Sequence, residues 1–171
     1  MISIGNMANV KDRAITFLIE NPEFFNKLVF KFFPFNDEFL ETHKNKVDWS
    51  LISMNDKIQI NQSFLKRFED VLNWELISIN EEINWDQDII GQFIDKLQWK
   101  IRIDYDVAIS GFCENPSVKW NKELLKEYYN LIDWNDISSN EGNFWTPEII
   151  EDYKDLLNWE KLSHNAAIPF T

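Results

Sequence analysis

"DVLNWELISINEEINW", residues 70–85, returns along the chain: "LIDWNDISSNEGNFW" at 131–145 repeats its frame nearly column for column, and "LLNWEKLSHNAAIPF" at 156–170 does so again. A fixed internal period sets the architecture ahead of local propensity, because each copy is one small unit that meets its neighbours in the same way. The period is 25, which spaces Trp49, Trp74 and Trp99 and also Trp134 and Trp159. A second aromatic column holds Phe35, Trp85, Trp120, Trp145 and Phe170, with Ile60 as the exception; the two columns contain all eight tryptophans.

Between the columns lies an apolar position (Ile52, Ile77, Phe112, Ile137, Leu162), followed by Ser53, Ser78, Cys113, Ser138 and Ser163. Two residues later comes an unbroken Asn column: Asn55, Asn80, Asn115, Asn140 and Asn165. Asparagine tolerates left-handed backbone and bonds its own local chain, so this column closes a short helical turn in preference to binding a ligand. After the second aromatic stands a strong helix N-cap: Asn36, Asn61, Asp86, Asn121 or Thr146, the last followed by Pro147 at the first helical position. Apolar residues then recur three, four, seven and eleven positions past the cap, as in Ile89, Ile90, Phe93 and Leu97. This spacing predicts helices of about three turns with one buried stripe, near 36–48, 61–73, 86–98, 121–133 and 146–158.

A unit of this size cannot bury its own stripe, so neighbours must bury it for one another. The expected fold is all-α, a short α-solenoid of about five two-helix repeats. The indoles are expected in the core between units, with an exposed aromatic binding strip as the competing reading. One domain is expected over 1–171, built from capping helices at 1–34, repeats at 35–98, an extended insertion at 99–108 and repeats at 109–171. The Phe-rich stretch "RAITFLIENPEFFNKLVFKFFPF" reads as an atypical capping unit. In the insertion, "WKIRIDYDV" alternates apolar and charged residues with the period of a strand. In this register Ile109 takes the Trp position and Cys113 the Ser position. A lone extended segment lacks backbone partners, so it either packs on the repeats as a plug, pairs with a second copy or adds to a partner's sheet edge.

A length of 171 residues with 44% hydrophobic content suffices for a core. The first twenty residues interrupt every apolar run with polar or charged side chains, which predicts a cytoplasmic protein without signal peptide or membrane span. The net charge of −12 lies wholly beyond residue 47: residues 1–47 hold six acids and six bases, residues 48–98 ten and four, and residues 99–171 thirteen and seven. Such a surface disfavours direct nucleic-acid and membrane contact and attracts a basic protein, unless the acidity serves solubility alone.

Catalytic chemistry is not found. His43 falls in the column of Phe68, Phe93, Tyr128 and Tyr153 and reads as half-buried core, whereas His164 reads as exposed; neither has the spacing of a zinc site or a triad. Cys113 has no histidine beside it, and four glycines make no phosphate loop. No catalytic residue, cofactor or metal is therefore expected.

The frame "NW..LS.N....W....I..Y...L.W" resembles short Trp-containing repeats of uncharacterised bacterial and giant-virus proteins, over residues 35–171. This resemblance implies repeat architecture and transfers no site. In size and charge the chain is also similar to small acidic anti-CRISPR, antirestriction and nuclease-immunity proteins. The expected function is thus a non-enzymatic inhibitor that occupies the basic nucleic-acid groove of a partner enzyme. Its contacts are expected from Glu81, Glu82, Glu127, Glu141, Glu151 and Asp152, with Arg102 and Tyr105 of the insertion. The competing function is a scaffold or adaptor that binds a peptide or protein through a concave face.

Overall fold

Each first helix begins where its cap places it. A side-chain oxygen of Asn36, Asn61, Asp86, Asn121 and Thr146 accepts the backbone N–H three residues on, which satisfies a donor that the first turn leaves open. The computed structural model describes residue 13 and residues 16–104 and 107–168, with backbone alone at 102–104 and 107–109. The described residues form helices and turns apart from one short hairpin, and the chain folds as two compact bodies, Met1–Ile58 and Gln59–Thr171.

The first helices are shorter than the sequence predicts: Asp37–Thr42, Gln62–Arg67, Gln87–Gln92, Lys122–Glu127 and Pro147–Tyr153. The backbone opens at the next residue, with φ −110° and ψ 17° at Phe68, and the N–H groups of Val71 and Leu72 then turn together onto the Phe68 carbonyl. A neighbouring carbonyl is capped by the following tryptophan: Trp74 Nε1 donates to Glu69 O at 2.9 Å, Trp99 Nε1 to Ile94 O at 3.1 Å, and Trp49 and Trp159 do the same five residues back. The apolar stripe survives because consecutive turns keep near-helical spacing. Leu65, Phe68 and Leu72 are buried, as are Ile90, Phe93 and Leu97.

A second helix follows at Trp49–Ser53, Trp74–Ser78, Trp134–Ile137 and Trp159–His164. It has its own caps, Asp48, Asn73, Asp133 and Asn158, each accepting an N–H three residues on. In the sequence frame each of these caps stands directly before a Trp of the first column.

The Asn column joins repeats as well as closing turns. Asn140 Oδ1 accepts the Gly142 N–H at 2.7 Å, while its amide donates to the carbonyls of Cys113 and Asn115 in the preceding repeat, at 2.8 and 3.0 Å. Asn115 reaches back to Ser78 and Asn80 and Asn165 to Ser138 and Asn140 in the same way. Within the first body, Asn55 meets the carbonyls of Phe30 and Phe33. The Ser column adds a second tie: Ser78 Oγ donates to Trp74 O and accepts the N–H of Gln98, and Ser138 Oγ likewise links Trp134 and Asn158. Buried polar groups of this kind are stabilising because each one is satisfied.

The two Trp columns differ in burial. Trp85, Trp120 and Trp145 are buried, as expected. In the other column Trp99 is buried and Trp74 and Trp134 are half-buried, each stacking on the aromatic of the next first helix: Trp74 on Phe93 at 5.0 Å and Trp134 on Tyr153 at 4.7 Å. Trp159, with no following helix among the described residues, is 57% exposed.

The insertion is not a lone extended segment. Strands β1 (Arg102–Asp104) and β2 (Val107–Ile109) pair antiparallel, with Arg102 opposite Ile109 and Asp104 opposite Val107. The segment satisfies its own backbone by folding back on itself. Ile109 therefore belongs to a strand, and Trp99, which keeps the indole bond of its column, holds the Trp position. No helix among the described residues is long and apolar enough to cross a membrane.

Candidate binding cleft at the hairpin base

The Asn turns set the residues that follow them at fixed places, and three successive turns thereby frame one cleft. Its walls include Glu81, Ser110, Glu114, Pro116, Ser139 and Glu141, around a volume of about 380 Å³. Glu81 and Glu141 each directly follow an Asn of the column, and Glu114 precedes one. Among the described residues neither Glu81 nor Glu141 forms an ion pair. A second cleft, of about 450 Å³, shares Ser139 and Glu141 and adds Glu160, Lys161 and His164.

The hairpin enters the first cleft through its base. Gly111 is required there, because a Cβ at this position would lie 2.4 Å from the carbonyl carbon of Lys100. The outgoing leg is pinned there: the Ile101 N–H donates to Asp136 Oδ2 at 2.8 Å, and Lys100 Nζ lies 3.8 Å from Asp133. Asp136 is buried, with Lys161 Nζ at 3.8 Å from its other oxygen. Burial pushes the Glu114 carboxyl above its ordinary range, a hydrogen bond from Ser110 pulls it down, and the charge of Asp136 raises it again.

Three of the expected contact residues, Glu127, Glu151 and Asp152, are already engaged within the chain. Glu81 and Glu141 share the cleft, and Glu82 stands exposed beside Glu81, its N–H held by Asn80 Oδ1. Glu127 ends a first helix and accepts the Gln87 amide at 2.7 Å. Glu151 pairs with Lys154, and Asp152 with Lys122 at 2.7 Å; Lys122 also meets Glu148. The carboxylates of Asp152 and Glu148 hold the Lys122 ammonium above the usual lysine range. Arg102 lies in β1, and Tyr105 falls outside the described residues.

Glu114, Asp136 and Ser110 were missed by sequence reading. Asp136 carries a signal that could have found it, since its column otherwise holds Leu51, Leu76, Gly111 and Lys161. An acid that replaces leucine beside an insertion is explained by the backbone N–H it must receive.

The arrangement offers carboxylate and hydroxyl acceptors. His43 is half-buried, stacks on Phe39 at 4.3 Å and bonds its carbonyl, whereas His164 is exposed. Cys113 is fully buried, and burial pushes its thiol up to about 12. No group of three or more His, Cys, Asp or Glu placed to hold a metal occurs among the described residues. The chemistry suited to this cleft is reception of a cationic side chain or of N–H donors. No protein-family model, characterised protein or solved structure matches the chain.

Proposed function

We propose that this chain is a short α-solenoid of about five two-helix repeats that binds a basic segment of a partner protein without catalysis. Its role in this reading is that of an inhibitor filling the nucleic-acid groove of an enzyme. The observation that carries it is the cleft in which Glu81, Glu114 and Glu141, from three successive Asn turns, converge with no lysine or arginine among the walls. Repetition at a fixed register suits an extended ligand, and unpaired carboxylates suit a basic one.

The test is association kinetics against a partner recovered by affinity purification, at low and moderate salt. Glu81→Gln, Glu114→Gln and Glu141→Gln together should slow association and flatten its salt dependence, because such charges mainly steer encounter. Neutralising Glu127, Glu151 and Asp152, which are already engaged within the chain, serves as the control and should change little. Equal association for parent and cleft variant removes the electrostatic reading.

A scaffold function with an apolar contact is the second reading. It is favoured by Tyr129, Leu131, Leu156 and Trp159, all exposed by 36% or more. Binding that is insensitive to salt and lost on Leu131→Ser with Leu156→Ser would select it.

A further inference from the structure

The helix Pro22–Phe32 of the first body has no buried residue, although its apolar side chains form a stripe. Phe24, Phe25, Leu28 and Phe32 recur at helical spacing and are 36–48% exposed. Before the helix, Phe17 meets Phe24 edge-on at 5.4 Å, and Ile19 shares with Pro22 and Phe25 an apolar hollow of about 340 Å³. After it, Phe33 and Phe39, also exposed, each meet the Phe35 ring at 4.9 Å, Phe33 tilted and Phe39 stacked. An amphipathic helix normally sets such a stripe against something.

We infer that this face is the contact between two copies of the chain, which associate through their Phe-rich N-terminal bodies. Two observations select a second copy. The first is area: eight large apolar side chains are exposed by 36–74%. At on the order of 200 Å² for a whole aromatic side chain, they present roughly 700–800 Å². That exceeds the largest patch usual on a monomer, about 300–600 Å², and matches the ~800 Å² per partner of a stable interface. The second is charge. Residues 1–47 hold six acids and six bases, while the whole net charge of −12 lies beyond them. Like copies therefore repel least through the residues of this stretch, whose apolar faces can meet. An isologous pairing closes on itself and limits assembly to two copies.

Sedimentation of the full chain between micromolar and hundred-micromolar concentration tests the inference. The parent should sediment as a dimer at the upper end, and Phe25→Glu with Phe32→Glu should raise the dissociation constant at least 100-fold with an unchanged helical circular dichroism spectrum. Amine cross-linking of a mixture of isotopically light and heavy parent chains keeps the test open if that variant does not fold. Heavy–light links should concentrate at Lys27 and Lys31, which flank the stripe. A monomer at every concentration overturns the inference, whether the face stays bare or is covered by the chain's own first residues. So does heavy–light linkage confined to residues beyond 58. Binding of a monomeric parent to phosphatidylcholine–phosphatidylglycerol vesicles would assign the face to lipid and overturn it as well.

Discussion

The repeat that begins at Trp134 and the one that begins at Trp99 carry the same fixed side chains on chains of different length. Ile137 lies three positions past Trp134, and Phe112 thirteen positions past Trp99. Yet the hydrogen bonds of the shorter repeat reappear in the longer one. Ile137 N–H donates to Asp133 O at 2.9 Å, and in the interrupted repeat Phe112 N–H donates to Gln98 O at 2.6 Å and Cys113 N–H to Trp99 O at 3.1 Å. The hairpin is thus extruded from within a second helix whose first bonds are kept across its base. What the frame preserves is the set of backbone groups to be satisfied, and contiguity of chain is secondary to it. Beyond the hairpin, the stretch that remains is a single 3₁₀ turn, Phe112–Glu114.

The largest expected effects test whether the Asn ties run through both repeats alike. Asn140→Ala leaves the Cys113 carbonyl and the Gly142 N–H open, and Asn115→Ala the Ser78 carbonyl and the Ser117 N–H; each also takes one of two donors from a further carbonyl. At about 1–3 kcal/mol for each buried group left unsatisfied, each variant should lose roughly 3 kcal/mol or more. Thermal melting should fall by about 6–12 °C in both. If only Asn140→Ala melts early, the interrupted repeat is not tied as the regular one is.

The next contrast lies within the interrupted repeat, between its hairpin base and its first helix. Gly111→Ala drives a Cβ into the Lys100 backbone and should cost about 2 kcal/mol, because neither leg of the hairpin base can yield without breaking the recovered bonds. Gly91→Ala lies in the first helix Gln87–Gln92, where the added Cβ meets only the Tyr128 hydroxyl at 3.5 Å. It should raise the melting temperature, by roughly 0.5–1 kcal/mol of stability. A neutral Gly111→Ala would mean that the hairpin closes elsewhere.

A smaller contrast concerns the second Trp column. Trp145 Nε1 donates to Asn140 O at 2.8 Å and Trp85 Nε1 to Asn80 O at 3.3 Å, but Trp120 Nε1 is buried with no partner. Replacing each by Phe removes similar area. Trp145→Phe should nevertheless cost about 1 kcal/mol more than Trp120→Phe, since only the former gives up a hydrogen bond. Equal losses in chemical denaturation would show that the Trp120 indole is satisfied in solution.

The sequence frame made some of this legible and concealed the rest for definite reasons. Caps could be read because the cap residue bonds three residues away, inside any window one inspects; all five first-helix caps are used as expected. Helix length was overestimated because an apolar stripe at three, four, seven and eleven positions is compatible with six helical residues followed by turns. The hairpin was visible as alternation, but its self-pairing depends on a close approach at Gly111 that periodicity does not encode. The same holds for the cleft. Glu81 and Glu141 could be chosen as exposed acids, whereas Glu114 joins them only through the offset that the insertion introduces.

The smallest effect expected at neutral pH is at Cys113, where the interrupted repeat departs from the Ser column. Its sulfur stands where Ser78 and Ser138 place their hydroxyls and meets the Asp133 backbone N–H, as those hydroxyls meet Gln98 and Asn158. Cys113→Ser restores the column and adds a hydroxyl that can donate to the Trp99 carbonyl, so at pH 7 the two proteins should differ by less than about 1 kcal/mol. The difference should grow with alkalinity. Burial raises the folded thiol from its ordinary 9.0 to about 12, so the unfolded chain ionises first and draws the parent toward unfolding. The stability tied to the neutral thiol is complete below pH 9.0 and is lost as pH rises toward about 12, at a slope of up to ~1.4 kcal/mol per pH unit. Lysines and tyrosines titrate in both proteins and largely cancel in the difference. Parallel denaturation curves for the parent and Cys113→Ser from pH 7 to 10.5 should therefore diverge only above pH 9, with the parent the weaker. Curves that stay parallel throughout would mean that the thiol is reached by solvent, and that the interrupted repeat is looser around its base than the regular one.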